Sequence, residues 1–393
     1  MNNHRTIAQD AAKGLMIIAV IFFHCYLATF ENHEEALQSF NVLSAIFPFL
    51  LSSFFFYAGY NYTPNDRTYK QNIARRAKQL LIPLVFAFII STVLISSMEL
   101  AFNHNNVSGT LTAIGNSILM SLMSEPLAMM IGFPQSGGTI FELIVALGLL
   151  WFLYTLFICS LFFYLLVKHT NKSAKTLISV VLGLLMLAFV LGQYAGVYLP
   201  YTVQCYPVVL AIMLTGAYLR QSHFLNRKAV TVKDYVFRVI NVLIAEGIII
   251  ATCFICYHQF GALTTGSLPG GMFDPRLRGF DAFISFGFGI LGTYFLHTIC
   301  RLIKFVPILG KCLQWLGNHS AVFYLFHPIF LELASIVIFQ KQVPWGHNQA
   351  FFTVWVVIFL LTGVCLLIDF ITKKVKNKEI SEEIRSHEAP EDI

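Results

Sequence analysis

Charge is scarce in this chain. Asp, Glu, Lys and Arg make up only 12% of its 393 residues, about half the share a soluble domain carries. An ordinary soluble domain is therefore excluded. The sequence also lacks internal repeats, low-complexity tracts and any long linker, so no second folded unit is expected. No phosphate-cradling P-loop, GxSxG elbow or HExxH helix is present. An enzyme of this sequence must therefore build its site between helices rather than on one of those motifs. Of the eight cysteines, only Cys253 and Cys256 form a CxxC. It falls inside an apolar run and has no second pair, so a zinc ribbon is excluded and buried thiols are expected. No metal site is expected. The net charge of +6 does not argue for nucleic acid, because membrane topology already accounts for where the basic residues fall.

What the chain has is apolar length. Many stretches approach 20 residues with almost no charge, enough to cross a hydrocarbon core about 30 Å thick. Ten spans are predicted, at about 14–30, 43–62, 79–99, 139–167, 174–193, 203–219, 236–257, 280–303, 319–338 and 350–372. The apolar stretch 111–132 is broken by Ser124, Glu125 and Pro126 and reads as a short helix or re-entrant piece. No small-x-small cleavage site follows the first run, so it is expected to stay as a span. With the N-terminus inside, every one of the 26 basic residues except Arg276, Arg278 and Lys341 falls in an inside segment. An eleventh span at 111–132 would destroy that sorting. The expectation is an all-α polytopic protein of the plasma or inner membrane with both termini cytoplasmic. Residues 1–376 form one transmembrane domain, and 377–393 a charged cytoplasmic tail.

The ionisable residues within the spans carry the chemistry. In KGLMIIAVIFFH, His24 lies eleven residues after Lys13. Eleven steps of about 100° bring the two to within about 20° on one helix face, and the rise is about 16 Å. Lys13 then sits at the boundary and His24 near the bilayer middle, with Asp10 one turn before Lys13. Lys13 is also a natural snorkelling anchor. His24 is either a structural histidine bonded between helices or the lining of a site, as intramembrane ionisable groups tend to be. A neutral imidazole can take a proton from a hydroxyl near pH 7. In NHSAVFYLFHP, His327 follows His319 by eight residues. The metalloprotease i, i+4 spacing is absent, so His327 belongs either to a polar cavity or to packing. Arg75, Arg76 and Lys78 crowd one inside loop, suited to lipid headgroups or to a phosphate ligand. Arg276 and Arg278 break the charge rule outside, in a plain surface loop or one that reaches for an acceptor. Tyr57, Tyr60 and Tyr154 are candidate relays, with nothing to single one out.

Several of these pieces together resemble the acyltransferase 3 family of integral-membrane acyltransferases, over roughly residues 5 to 372. RTIAQDAAKGLMIIAVIFFH resembles its first span, where a basic residue and a histidine are separated by ten residues; Lys13 stands where many members have arginine. FFFYAGY is similar to its second span, with Ala58 in place of the usual serine. RRAKQLLIP, WFLYTLF, LPYTVQCYPVVLAIMLTGAYLR and GNHSAVFYLFHP resemble four further elements in order. The resemblance implies transfer of an acyl group, usually acetyl, from cytoplasmic acyl-CoA to a hydroxyl of a lipid-linked or exported envelope polysaccharide. It implies His24 as general base, Lys13 and Asp10 at the helix mouth, and His327 on the thioester carbonyl or in proton transfer. Arg75, Arg76 and Lys78 would hold the phosphates of acyl-CoA. Arg276, Arg278 and Trp151 would meet the carbohydrate acceptor. Acyl-CoA is a co-substrate, and no permanently bound cofactor is implied. Membrane lipid is a partner. Members often carry an extra extracytoplasmic esterase-like domain; a stand-alone enzyme is expected here, with room for a partner protein that supplies that half. Two rivals compete with this reading: a transporter or flippase of an envelope glycan intermediate, and a non-catalytic membrane scaffold. Paired Gly/Pro-broken spans in matching halves, expected of a transporter, are not evident, and a scaffold leaves the Asp10–Lys13–His24 stripe without a role.

Overall fold

A computed structural model describes residues 7–29, 49–63, 67–102, 151–194, 203, 205–225, 231–260, 279–303, 306–339, 352–370 and 374. The described residues are helical and contain no strand. In chain order the helices are α1 (Ile7–Thr29), α2 (Leu50–Tyr60), α3 (Tyr69–Phe102), α4 (Trp151–Thr170), α5 (Ala174–Tyr194) and α6 (Tyr206–Gln221). They continue with α7 (Val232–Phe260), α8 (Asp281–Ile303), α9 (Pro307–Asn318), α10 (Ser320–Phe339) and α11 (Phe352–Phe370). Five of them, α4, α5, α7, α8 and α11, are long and apolar enough to cross a membrane. The protein is therefore a multi-pass membrane protein. The stretch 111–132 and the loop bearing Arg276 and Arg278 lie outside the described residues.

The helices sort into an inner group and an outer one. Along α6 every residue from Pro207 to Ala217 is buried, and α2 packs closely against it. A Cβ on Gly59 would run into the Met213 carbonyl, and one on Gly216 into the Phe56 carbonyl. Small residues let two backbones approach where no hydrophobic effect drives helices together. The outer helices turn large apolar side chains outward: Ile178 and Leu182 on α5, Phe237 and Leu243 on α7, Phe359 and Leu366 on α11. On a water-facing surface such bands would be a liability; against lipid they are the solvated face.

Two features depart from the sequence reading. The basic segment before the third span is helix, not loop: α3 begins at Tyr69. The reason is a capping box. The Thr68 N–H donates to Gln71 Oε1 (2.9 Å), and the Gln71 N–H donates to Thr68 Oγ1 (3.3 Å), satisfying two of the orphan donors of the first turn. The same device starts α7, where Thr231 and Asp234 bond reciprocally. The second departure is α9, in a segment expected to be loop. At 12 residues it spans only about 18 Å. Gly310, Leu313 and Gly317 form its buried stripe. Among the described residues, it packs on α1 more extensively than any other pair of helices touches. A Cβ on Gly14 would strike the Leu313 carbonyl, and one on Gly317 the Asp10 carbonyl. The crossing therefore holds the start of α1 against the end of α9.

Candidate active site

At the end of the bundle marked by the start of α1 lies a cavity of about 380 Å³. Its mouth is cationic: Lys13 of α1 meets Arg75 and Arg76 of α3. The early start of α3 puts those arginines on a rigid helix. The Arg76 Nε–H donates to the Tyr164 hydroxyl at 3.0 Å, which aims its guanidinium along the wall. Tyr62 and Asn61, just past the end of α2, complete the rim. Arg220 Nη1 donates to the Tyr62 carbonyl at 2.6 Å, so a basic residue that topology alone explained also caps α2. Gly317, Asn318, Ser320 and Ala321, at the turn between α9 and α10, close the fourth side.

The cavity has an aromatic side, from which ring contacts run to the two histidines, neither of which lines the cavity itself. Phe54 and Phe152 line it, with ring centroids 5.6 Å apart. Phe152 lies 5.4 Å from the Tyr324 ring, and Tyr324 lies 5.7 Å from the His327 ring. His327 is 1% exposed. Its Nε2 stands 2.9 Å from His24 Nδ1, and the two imidazoles stack at 5.0 Å with 17° between their planes. Its Nδ1 stands 2.7 Å from the Tyr324 carbonyl.

These contacts define the direction of the hydrogen bonds. A carbonyl only accepts, so His327 Nδ1 carries a proton and donates it to Tyr324. In the neutral ring Nε2 is then the lone pair, and it accepts from His24 Nδ1–H. His24 Nε2 is left unprotonated. The chain thus runs His24 to His327 to Tyr324, and His24 presents the basic nitrogen. His24 is partly buried.

The sequence candidates are distributed as follows. His24 and His327, 303 positions apart, come together; so do Lys13, Arg75 and Arg76. Asp10 is buried behind the mouth, with Oδ1 3.7 Å from Lys13 Nζ, close enough for ion pairing but too long for a hydrogen bond. Lys78 is exposed and does not line the cavity. Trp151 is the first residue of α4, next to the cavity residue Phe152. Arg276 and Arg278 lie outside the described residues. His319, the other half of the histidine pair in the ninth predicted span, faces away from His327: its Nε2 is 3.2 Å from Asp369 and its Nδ1 2.9 Å from the Trp315 carbonyl. Sequence reasoning missed Tyr164, Asn72 and Gln79 on the cavity wall, and it gave no role to His297. Arg76 and Tyr164 lie 88 positions apart, and no local pattern announces such a pair.

The model of one family, described as an acyltransferase domain, matches residues 7–371. The chain belongs to the acyltransferase 3 family. No curated protein and no solved structure matches it. Membership carries acyl transfer, generally to carbohydrates, as the family's chemistry. In this acyltransferase 3 protein the matched segment contains the whole cavity and both histidines.

Proposed function

We propose that the protein is an O-acyltransferase that takes an acyl group, most simply acetyl, from acyl-CoA. It delivers that group to a hydroxyl of a lipid-linked or exported envelope polysaccharide. The observation that carries this reading is a cationic cavity joined by the Phe152–Tyr324–His327 ring contacts to an oriented histidine dyad. Phosphates suit Lys13, Arg75 and Arg76, since clustered cations make charge-assisted bonds to phosphate oxygens. The long, flexible thiol arm of the donor suits the narrower aromatic end. The rise from Lys13 to His24 is about 16 Å, so a donor held by its phosphates at the mouth must reach inward to meet the base.

The chemistry balances with these groups alone. His24 Nε2 removes the acceptor hydroxyl proton as that oxygen attacks the thioester carbonyl carbon. The carbonyl oxygen takes up the negative charge. Its collapse breaks the carbon–sulfur bond, and His24 Nε2 returns the proton to the departing thiolate. Across the dyad His327 and the Tyr324 carbonyl hold the tautomer and stabilise the transient imidazolium. Arrival of the donor from the cytoplasm and of the acceptor from the opposite face belongs to the same proposal. So do cytoplasmic termini, ten spans and a plasma or inner membrane.

The test uses purified protein in proteoliposomes with labelled acetyl-CoA and a mixture of envelope glycans. Wild type should release CoA and label a glycan. His24→Ala should lose about 10²- to 10⁴-fold in rate while keeping its gel-filtration profile and its affinity for CoA. A wild-type protein that binds no CoA and consumes no acyl-CoA would sink the proposal in favour of a transporter of glycan intermediates. Full activity in His24→Ala would move the base elsewhere.

A further inference from the structure

The histidine that holds His24 is followed at once by a proline. Pro328 lies inside α10, with helix on both sides of it. In an α-helix each backbone N–H donates to the carbonyl four residues earlier. For position 328 that carbonyl is the one of Tyr324. A proline nitrogen carries no hydrogen, so position 328 makes no claim on the Tyr324 oxygen. The side chain one residue earlier makes it instead, with His327 Nδ1 at 2.7 Å. The carbonyl that fixes the dyad's tautomer is therefore the one from which the proline withholds a donor.

His319 supplies a comparison in the same protein. Its Nδ1 stands 2.9 Å from the Trp315 carbonyl, and that oxygen also takes the His319 backbone N–H at 3.2 Å. There the imidazole shares its acceptor with the backbone. At His327 the bond is shorter, at the short end of the range for N–H···O, and position 328 offers nothing to share it with. The Phe323 carbonyl also faces the His327 ring. Its own helical donor, the His327 backbone N–H, is present, so the proline leaves that oxygen alone. Both oxygens only accept, and both hold the proton on Nδ1.

An N–H at position 328 would divide the Tyr324 oxygen between two donors and weaken the hold on Nδ1–H. The reversed dyad would then become accessible. In it His327 Nε2–H donates to His24 Nδ1, and His24 Nε2 carries a proton and cannot take one. A proline in a helix interior costs stability, and α10 bears that cost at the residue next to the dyad.

We infer that Pro328 is a positioning residue for acyl transfer: by withholding a backbone N–H it reserves the Tyr324 carbonyl for His327 and so keeps His24 Nε2 unprotonated. The inference rests on the acyl-transfer reading of the dyad. Pro328 meets no reacting atom and gains and loses none. The proton still moves from the acceptor hydroxyl to His24 Nε2 and on to the departing thiolate.

The test compares wild type with Pro328→Ala and Pro328→Gly in proteoliposomes, reading acetyl-CoA turnover. Both variants restore the N–H and differ in bulk, so a packing fault in one would not be shared by the other. Each should lower kcat by about three- to tenfold, the worth of one ordinary hydrogen bond, with KM for acetyl-CoA unchanged. Pro328→Ala should melt no earlier than wild type, because alanine suits a helix interior better. In a His327→Ala background the same substitution should leave kcat where it was, since the group it acts through is gone. Solid-state NMR of isotope-labelled histidine nitrogens should find His24 protonated on Nδ1 in wild type and a share protonated on Nε2 in Pro328→Ala. Three results would overturn the inference: unchanged kcat in both variants, a loss confined to KM, or an equal loss in the His327→Ala background, which would reduce the proline to a matter of helix shape. Wild type that neither binds CoA nor consumes acetyl-CoA would overturn the acyl-transfer reading instead. The NMR comparison then decides the proline's part alone, and an unchanged His24 tautomer would end it.

Discussion

At the scale of single residues, the decisive atom is a carbonyl oxygen. Two histidines in contact are symmetric until something breaks the tie, and the Tyr324 carbonyl, 2.7 Å from His327 Nδ1, breaks it. In the proposed reaction His24 is the base because its partner's proton is already committed. Replacement of His327 should therefore depend on what replaces it. His327→Gln can still accept from His24 Nδ1–H through its amide oxygen and should keep more activity than His327→Ala. The alanine variant frees the His24 tautomer, and loss of tautomer control in a comparable triad costs about 10⁴-fold. Steady-state rates for the two variants check this, and equal rates would remove His327 from the positioning role. Lys13 makes a second residue-scale case. Lys13→Arg keeps the charge and adds a planar fork, so its KM for acyl-CoA should stay near wild type. Lys13→Ala should raise that KM about tenfold, the loss of one charge-assisted bond.

At the scale of elements, the site depends on two local devices. The Thr68–Gln71 capping box starts α3 early and turns a basic stretch into a rigid wall bearing Arg75 and Arg76. Thr68→Ala should cost about 1 kcal/mol of stability and loosen donor binding, read by thermal melting in detergent beside CoA titration. The second device is the α1–α9 crossing, where Gly14 and Gly317 bring the backbones into contact. A side chain at Gly317 would press on the Asp10 carbonyl, and backbone cannot swing aside as a side-chain tip can. Gly317→Val should destabilise by at least about 1–3 kcal/mol and impair donor binding, because Gly317 and Asn318 also wall the cavity. A melting temperature equal to wild type would show that the crossing is looser than the backbone contact implies.

The molecule as a whole separates two environments. One end of the bundle gathers cations around a cavity, while the flanks of α5, α7 and α11 are apolar. Charges at a mouth open to water are screened over about 8–10 Å at physiological salt. CoA affinity should therefore fall as salt rises from 0.05 to about 0.5 M, while the fold, held by apolar packing, should not melt earlier. Isothermal titration across that range checks it, and a flat response would move the phosphates away from Lys13, Arg75 and Arg76. Reporter fusions at the two termini should both read cytoplasmic.

The sequence by itself determined the class of molecule and named half of its candidate site. Scarce charge and long apolar runs dictate membrane helices, because each has a one-dimensional signature. The Lys13–His24 spacing is equally local, since a helix of known pitch puts both on one face. The basic cluster at Arg75 and Arg76 was legible as a ligand-binding candidate, but its helical conformation was not, because apolar periodicity weakens where the chain leaves the membrane. Only the tertiary structure decided the rest. The partner of His24 lies 303 residues away, Tyr164 reaches Arg76 across 88, and Tyr57 meets His297 across 240. Such contacts form where helices far apart in the sequence come side by side, and no spacing along the chain encodes them. Proton direction was the last thing to emerge, because it depends on which backbone carbonyl a ring nitrogen happens to face.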